Sequence, residues 1–370
     1  MMNEVSSFYS KTKNLLFIFN IAFTLIFLFI MSYSFSRLLR NAVTYLTGNT
    51  VIVITIYFTL FYFLYFLFVF ILRYLEGFVL ENHINKRKQK FRSWFRVLIN
   101  KEIITFSLLL VSVQVIYFFL ETNVNAWWVP MAVLAILTRN AWELLPDWVV
   151  PYYSRHKDLE DKHLQDRLLK LAKKGGVWFS RILIYKDSRA KAVILGLKKS
   201  RRLILSDMAL DYALEEIEVL VAMEIAKLHK GYNWKKALIE ALGMFITFFI
   251  VSFVFVPGCE KFGFEFVFDV QTLPLLLGLF FVIFIVVWFI LNYFMRDMAK
   301  ENDAYTLRLS KAPEAFVSLI IRDSQQNIQG DRAIYFFERM LCAKSPISQR
   351  LMLAQDYAQD MLFEDIHRKN

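Results

Sequence analysis

The sequence predicts a mainly α-helical, polytopic membrane protein with a water-facing α+β domain inserted between its spans. Three observations carry this. Of 370 residues, 57% are hydrophobic and 17% aromatic, against roughly 45–50% apolar residues in soluble domains. The apolar residues fall in blocks of membrane-spanning length. Between the N-terminal and C-terminal blocks lies a long stretch that alternates amphipathic-helix and short-strand patterns. This composition excludes a soluble globular enzyme and a disordered chain. With 11 Gly and 38 Phe, collagen-like and low-complexity chains are excluded as well.

A helix needs about 20 largely apolar residues to cross the hydrocarbon core. Leu15–Phe35, Val51–Leu72, Ala237–Val256 and Leu273–Phe294 meet that length, and Ile103–Leu120 just meets it. Ala126–Leu137 is short. It counts as a span because Trp127, Trp128 and Trp142 resemble interface anchors. Six spans are therefore expected. The first is too long for a secretory signal and lacks a cleavage site after it.

Basic residues set the orientation. The loop 81–101 carries Lys86, Arg87, Lys88, Lys90, Arg92, Arg96 and Lys101 against the single acid Glu81. Such a loop stays in the cytoplasm. Counting spans from it places both termini and residues 151–236 inside, with the acidic loop 257–271 outside. Four regions follow: spans in 1–150, a cytoplasmic domain in 151–236, two spans in 237–295, and a cytoplasmic return in 296–370. The run Lys86–Arg92 reads as a topology signal and an anionic-lipid contact. The net charge of +11 fits this orientation rule, and no nucleic-acid recognition motif accompanies it. Cys259 and Cys342 are expected on opposite membrane sides, so no disulfide framework is expected.

Within the domain, Asp158–Lys174 has leucines at helical spacing and ends at Gly175-Gly176. Trp178–Tyr185, Ala192–Leu195 and Arg202–Ser206 read as strands. Ser206 or Asp207 caps a short helical turn. Glu215–Lys230 is a helix with Ile217, Leu220, Val221, Glu224, Ile225 and Leu228 along one broad face.

These elements, in this order, resemble the integral-membrane zinc metallopeptidases, the type I CAAX prenyl proteases and the HtpX-like proteins. The likeness runs from about Leu145 to Leu351. It includes Leu-Pro-Asp-Trp-Val-Val-Pro151, the stretch RRLILSDMALDY at 201–212, Glu216-x-Glu218-Val-Leu-Val-Ala222, and SPISQRL at 345–351. It implies a gluzincin-like domain, and membrane helices, seven in the prenyl proteases, that enclose a chamber over the zinc. In that family an H-E-x-x-H helix supplies two histidines on one face and a general-base Glu between them. A third ligand comes from an E-x-x-A-D element.

Laid on that frame, the helix reads Met223-Glu224-Ile225-Ala226-Lys227, and the second element Ala299-Lys300-Glu301-Asn302-Asp303. Glu224 and Asp303 survive. Met223, Lys227 and Ala299 stand where the resemblance puts the three zinc ligands. The substrate-strand element N-A-x-x-x-G reads Lys191-Ala192-Val-Ile-Leu-Gly196. The terminal H-P element reads Lys344-Ser345, with Pro346 and Arg350 kept. No metal and no other cofactor is therefore expected. Lys227 is expected to take the place of the cation and to neutralise Glu224, with Asp303 as a further partner. The bland alternative is an ordinary i,i+3 charge pair. A substitute site from Glu224, His229, Glu301 and Asp303 is disfavoured, because residues 224 and 229 point about 140° apart on an ideal helix. His156 and His163 read as surface residues. Glu240, early in a span, is either functional or snorkelling.

The expected role is a pseudopeptidase that binds a membrane protein, peptide or lipid as adaptor, chaperone-like holder or regulator. The alternatives are an active metallopeptidase with a relocated metal site and a structural subunit of a membrane complex. The bilayer is the expected environment, a bacterial inner membrane the expected location, and nucleic acid is not an expected partner.

Overall fold

The computed structural model describes residues 2–80, 82, 90–139, 157–185, 190–196, 200–229, 231–326 and 345–369. Among them, five helical stretches are long and apolar enough to cross a membrane. The first, Leu15–Leu46, runs through α1 (Met2–Ile30), a π-helical turn at Met31–Phe35 and α2 (Ser36–Leu46). Next comes α3 (Thr50–Tyr74), whose first turn is capped by the Asn49 side chain accepting from the N–H groups of Val51 and Ile52. Third is α4 (Phe91–Thr122), and the last two are α8 (Tyr232–Lys261) and α9 (Leu273–Ser310). The sixth expected span is the shorter apolar helix α5 (Trp128–Arg139), which reaches the edge of the described residues.

All five long helices overrun their expected ends, and α4 takes in residues 91–101 of the basic stretch that the sequence assigns to a loop. α8 continues through Pro257, where a loop is expected. A proline inside an apolar span is tolerated when neighbouring groups re-satisfy the backbone. α9 runs unbroken from its apolar half through Ala299–Asp303 to Ser310.

The chain divides into two compact units, each described by itself. The first takes the chain up to Ile136 together with Ala241–Phe289. Its core is aromatic and aliphatic, with Tyr57, Phe58, Tyr117, Leu120 and Phe255 fully buried. Trp127 corrects its expected role. It is buried against Phe248 and Phe255 rather than standing at an interface, because a large apolar ring gains more from close packing than from the boundary. A polar network pins the segment before α9. The Tyr57 and Ser36 hydroxyls lie 2.6 Å apart, Ser36 donates to the carbonyl of Gln271, and Tyr117 bonds the Thr272 hydroxyl. Asp269 pairs with Arg40 at 2.9 Å.

The second unit holds Leu137–Glu240, the C-terminal half of α9 from Ile290, and the helices after it. Its sheet has the order β1-β2-β4-β3, from β1 (Lys157–Asp158), β2 (Arg181–Tyr185), β3 (Ala192–Leu195) and β4 (Arg202–Ser206). β2 and β4 are parallel; both edge strands pair antiparallel. The expected first helix starts later than its pattern suggests. Residues 157–158 join the sheet, and α6 (Lys162–Lys174) begins after Asp161, whose carboxylate accepts from the Leu164 N–H at 3.1 Å. Likewise the stretch from Trp178 becomes strand only at Arg181.

α6 and α7 (Leu214–His229) cover the sheet. Leu164, Leu168 and Leu171 meet Ile182, Leu203 and Leu205, and Ile217, Val221 and Ile225 close the layer from α7. The opposite side of α7 faces α9, α10 (Pro313–Gln326) and α11 (Ile347–Lys369) through Val219, Leu307, Phe316, Leu319 and Ile320. Gly175 ends α6 where a Cβ would lie 2.5 Å from Cγ2 of Ile225, so α7 approaches closely only because no side chain is there.

Candidate functional site

α7 carries the site. Its start is held by Glu216, a buried carboxylate that accepts from the Ala213 N–H at 3.1 Å and from the Ser318 hydroxyl at 2.5 Å. Arg322 pairs with it at 3.2 Å and lies over the Tyr212 ring. Glu216 stands three residues after Ala213, so its carboxylate makes the returning half of a capping box, and α10 closes it from the other side.

One turn further, α7 opens onto a cavity of about 200 Å³. Met223, Glu224 and Lys227 line it from α7; Ala299, Asn302 and Asp303 line it from α9; Ser345 and Arg350 line it from the C-terminal part. The side chains at 223 and 227 share a face because they stand one turn apart. Ala299 and Asp303 do the same on α9. Five positions singled out in the sequence, drawn from two helices some 70 residues apart, thus border one space.

The charges are paired within it. The Lys227 ammonium donates to Glu224 at 2.5 Å, with the two side chains 39% and 22% exposed. Arg350 holds Asp303 by two parallel hydrogen bonds, at 2.8 and 2.7 Å, with only 16% and 9% exposure. That division corrects one expectation. Lys227 neutralises Glu224 alone; Asp303 takes the guanidinium, whose planar fork fits a carboxylate better than a point charge does. The Lys227 pair is also too wet to count as buried.

The remaining positions are spread out. Lys191 is exposed, and its backbone exchanges hydrogen bonds with Ser206, whose hydroxyl accepts from the Lys191 N–H at 2.8 Å. Ala192 is buried at the start of the edge strand β3. Lys344, Cys342, His156, Trp142 and residues 86–89 lie outside the described residues. Ser345 is buried and donates to the Arg296 carbonyl. The substitute metal set is not assembled. His229 stacks on Tyr305 at 4.6 Å, Glu301 is exposed and Asp303 is held by Arg350. Among the described residues no group of three or more His, Cys, Asp or Glu side chains is placed to hold a metal. Glu240 is buried and paired with Arg139 at 3.1 Å, with Lys236 at 3.8 Å.

Two features escaped sequence reasoning. Asn302 is buried beside the cavity, and its Oδ1 has no hydrogen-bond partner among the described residues. The signal was available, because Asn stands there in place of the Ala of E-x-x-A-D. The Glu216–Ser318–Arg322 cluster had no signal, since Glu216 on α7 meets Ser318 and Arg322 on α10 about a hundred residues later.

Comparison with known proteins agrees with this fold. The uncharacterized metalloprotease YhfN of Bacillus subtilis (strain 168) is 23% identical over 254 residues, 65% of this chain and 59% of its own length. CAAX prenyl protease 1 of Saccharomyces cerevisiae is 23% identical over 194 residues, 50% of this chain and 42% of its own. The chain thus matches less than two thirds of either relative's length. The crystal structure of S. mikatae Ste24p superposes with a TM-score of 0.73 at 18% identity, covering 94% of this chain and 88% of that one, which shows a shared fold. The model of peptidase family M48 matches residues 158–348, from the first strand to the start of the last helix, and this protein therefore belongs to peptidase family M48.

Proposed function

We propose that this chain is a catalytically inactive member of its family, which binds a membrane-protein segment, a peptide or a lipid as an adaptor, chaperone-like holder or regulator. One observation carries the reading. The three positions that the family frame gives to zinc ligands border one cavity, and they hold a thioether, an ammonium and a methyl group. A hydrolytic zinc site needs three protein ligands and a water. Met223 is a poor donor for zinc, Ala299 offers none, and Lys227 brings a positive charge. The two surviving carboxylates already have cations on them, Glu224 from Lys227 and Asp303 from Arg350. These residues do not fit zinc.

The cavity instead suits polar recognition. Lys227 has N–H donors beyond the one facing Glu224, and Asn302 has an acceptor to fill. Leu220, Leu319 and Ile320 supply apolar wall. By the charge argument, this domain and both termini face the cytoplasm.

The test is direct. The full-length protein, purified without chelator, is assayed for bound zinc and for cleavage of unstructured peptides. Substoichiometric zinc and no cleavage are expected. Chelator-sensitive hydrolysis by the pure protein would overturn the reading.

A further inference from the structure

Beyond the basic stretch 81–101, the chain's positive charge is concentrated in a second stretch. Residues 167–206 contain twelve Lys and Arg and one acid, Asp187, so this stretch alone accounts for the net +11 of the whole chain. The fold gathers much of it at one end of the sheet. α6 ends there with Lys173 and Lys174, β2 begins with Arg181, and β4 begins with Arg202. Arg181 and Arg202 are register partners on adjacent parallel strands. Like charges set side by side on a sheet oppose its pairing, so this arrangement weakens the sheet unless an anion lies against it. Lys170, Lys173, Lys174, Arg181 and Arg202 are all exposed, and none has an acidic partner among the described residues. In their midst Trp178 is 68% exposed, an unusual place for the largest apolar ring.

We infer that this end of the sheet docks on anionic lipid headgroups. Cations with an exposed Trp are the composition of a membrane-interface contact: the indole settles at the headgroup level while the ammonium and guanidinium groups meet phosphate. A bilayer is also the surface most available to it, because membrane-length helices precede and follow this segment in the same chain. The contact is separate from the cavity, none of whose lining residues belongs to this basic end. It would hold the domain against the cytoplasmic leaflet in proportion to the leaflet's negative charge.

The experiment isolates Trp178 by difference. Emission of the Trp178→Phe variant is subtracted from that of the full-length protein. Both are embedded in nanodiscs of brominated phosphatidylcholine, either alone or with about 30% brominated phosphatidylglycerol, an anionic lipid of the kind that attracts polybasic surfaces. The Trp178 signal is expected to be quenched about twofold or more in the anionic discs, and to recover in high salt as the charges are screened. A Lys173→Gln, Lys174→Gln, Arg202→Gln variant should lose most of that quenching; the salt titration of the unmodified chain decides the matter if this variant fails to fold. Equal quenching in neutral and anionic discs, or none in either, would overturn the inference. The second result would point to an acidic polypeptide as the partner of this surface.

Discussion

The two sides of α7 followed different rules. Toward the sheet it presents Ile217, Val221 and Ile225, buried in one cluster with residues of β2, β3 and β4, with Ile225 lying close to the bare backbone of Gly175. Toward the cavity it presents Met223, Glu224 and Lys227, with polar contacts and room left over. The packed side carries the apolar spacing that the sequence leads one to expect; the cavity side, on the proposed reading, departs from the family frame at each metal position. Packing constrains size and shape, so that side keeps its residues for as long as the fold is needed. Ligand positions are constrained only by the chemistry they perform. On the proposed reading, a thioether and an ammonium stand at positions freed from that chemistry.

The contrast can be broken from the packed side first. Ile225→Ala removes a fully buried side chain. It should cost about 2–5 kcal/mol, the usual range for such cavities. The detergent-solubilised protein would show this as a large fall in Tm. Arg350→Met comes next. It leaves the Asp303 carboxylate nine-tenths buried without its cation, and breaking such pairs costs about 3 kcal/mol. A smaller loss in thermal unfolding would mean that water reaches Asp303.

From the cavity side, Met223→His combined with Lys227→His and Ala299→Glu should create zinc affinity. Added zinc would then raise stability by about 2.7 kcal/mol at a hundredfold excess over Kd. No zinc-dependent shift in Tm would show that the backbone of α7 and α9 has moved away from ligand geometry. The smallest effect belongs to Lys227→Met. Its pair with Glu224 is partly exposed, so the loss should stay under about 1 kcal/mol. A much larger loss would make Lys227 a structural counter-ion after all, and would narrow the difference between the two sides of the helix.

Local chemistry made much of this molecule legible. The long spans follow from runs of apolar residues, because a hydrocarbon core demands length and little else. β3, β4 and α7 follow from short-range periodicity. The i,i+3 pairing of Lys227 with Glu224 is a property of any helix. The sheet's first strand was not legible, since two charged residues, Lys157 and Asp158, carry no strand pattern and pair only because β2 offers an open edge. Trp127 was misread for a related reason. Its sequence neighbours resemble those of an interface anchor, but Phe248 and Phe255, far along the chain, bury it.

By itself, then, the sequence determined the spans, the strand and helix periods, and the identity of the atoms offered at each site position. The tertiary structure decided which cation each carboxylate receives and which polar groups go unmatched. Asp303 has Lys300 on its own helix, yet its partner is Arg350, brought by a helix 47 residues on. Asn302 is buried without a donor because of what packs over α9, not because of its neighbours in the chain. A charge takes the nearest well-shaped counter-ion in space, and distance in space is what a one-dimensional pattern does not contain.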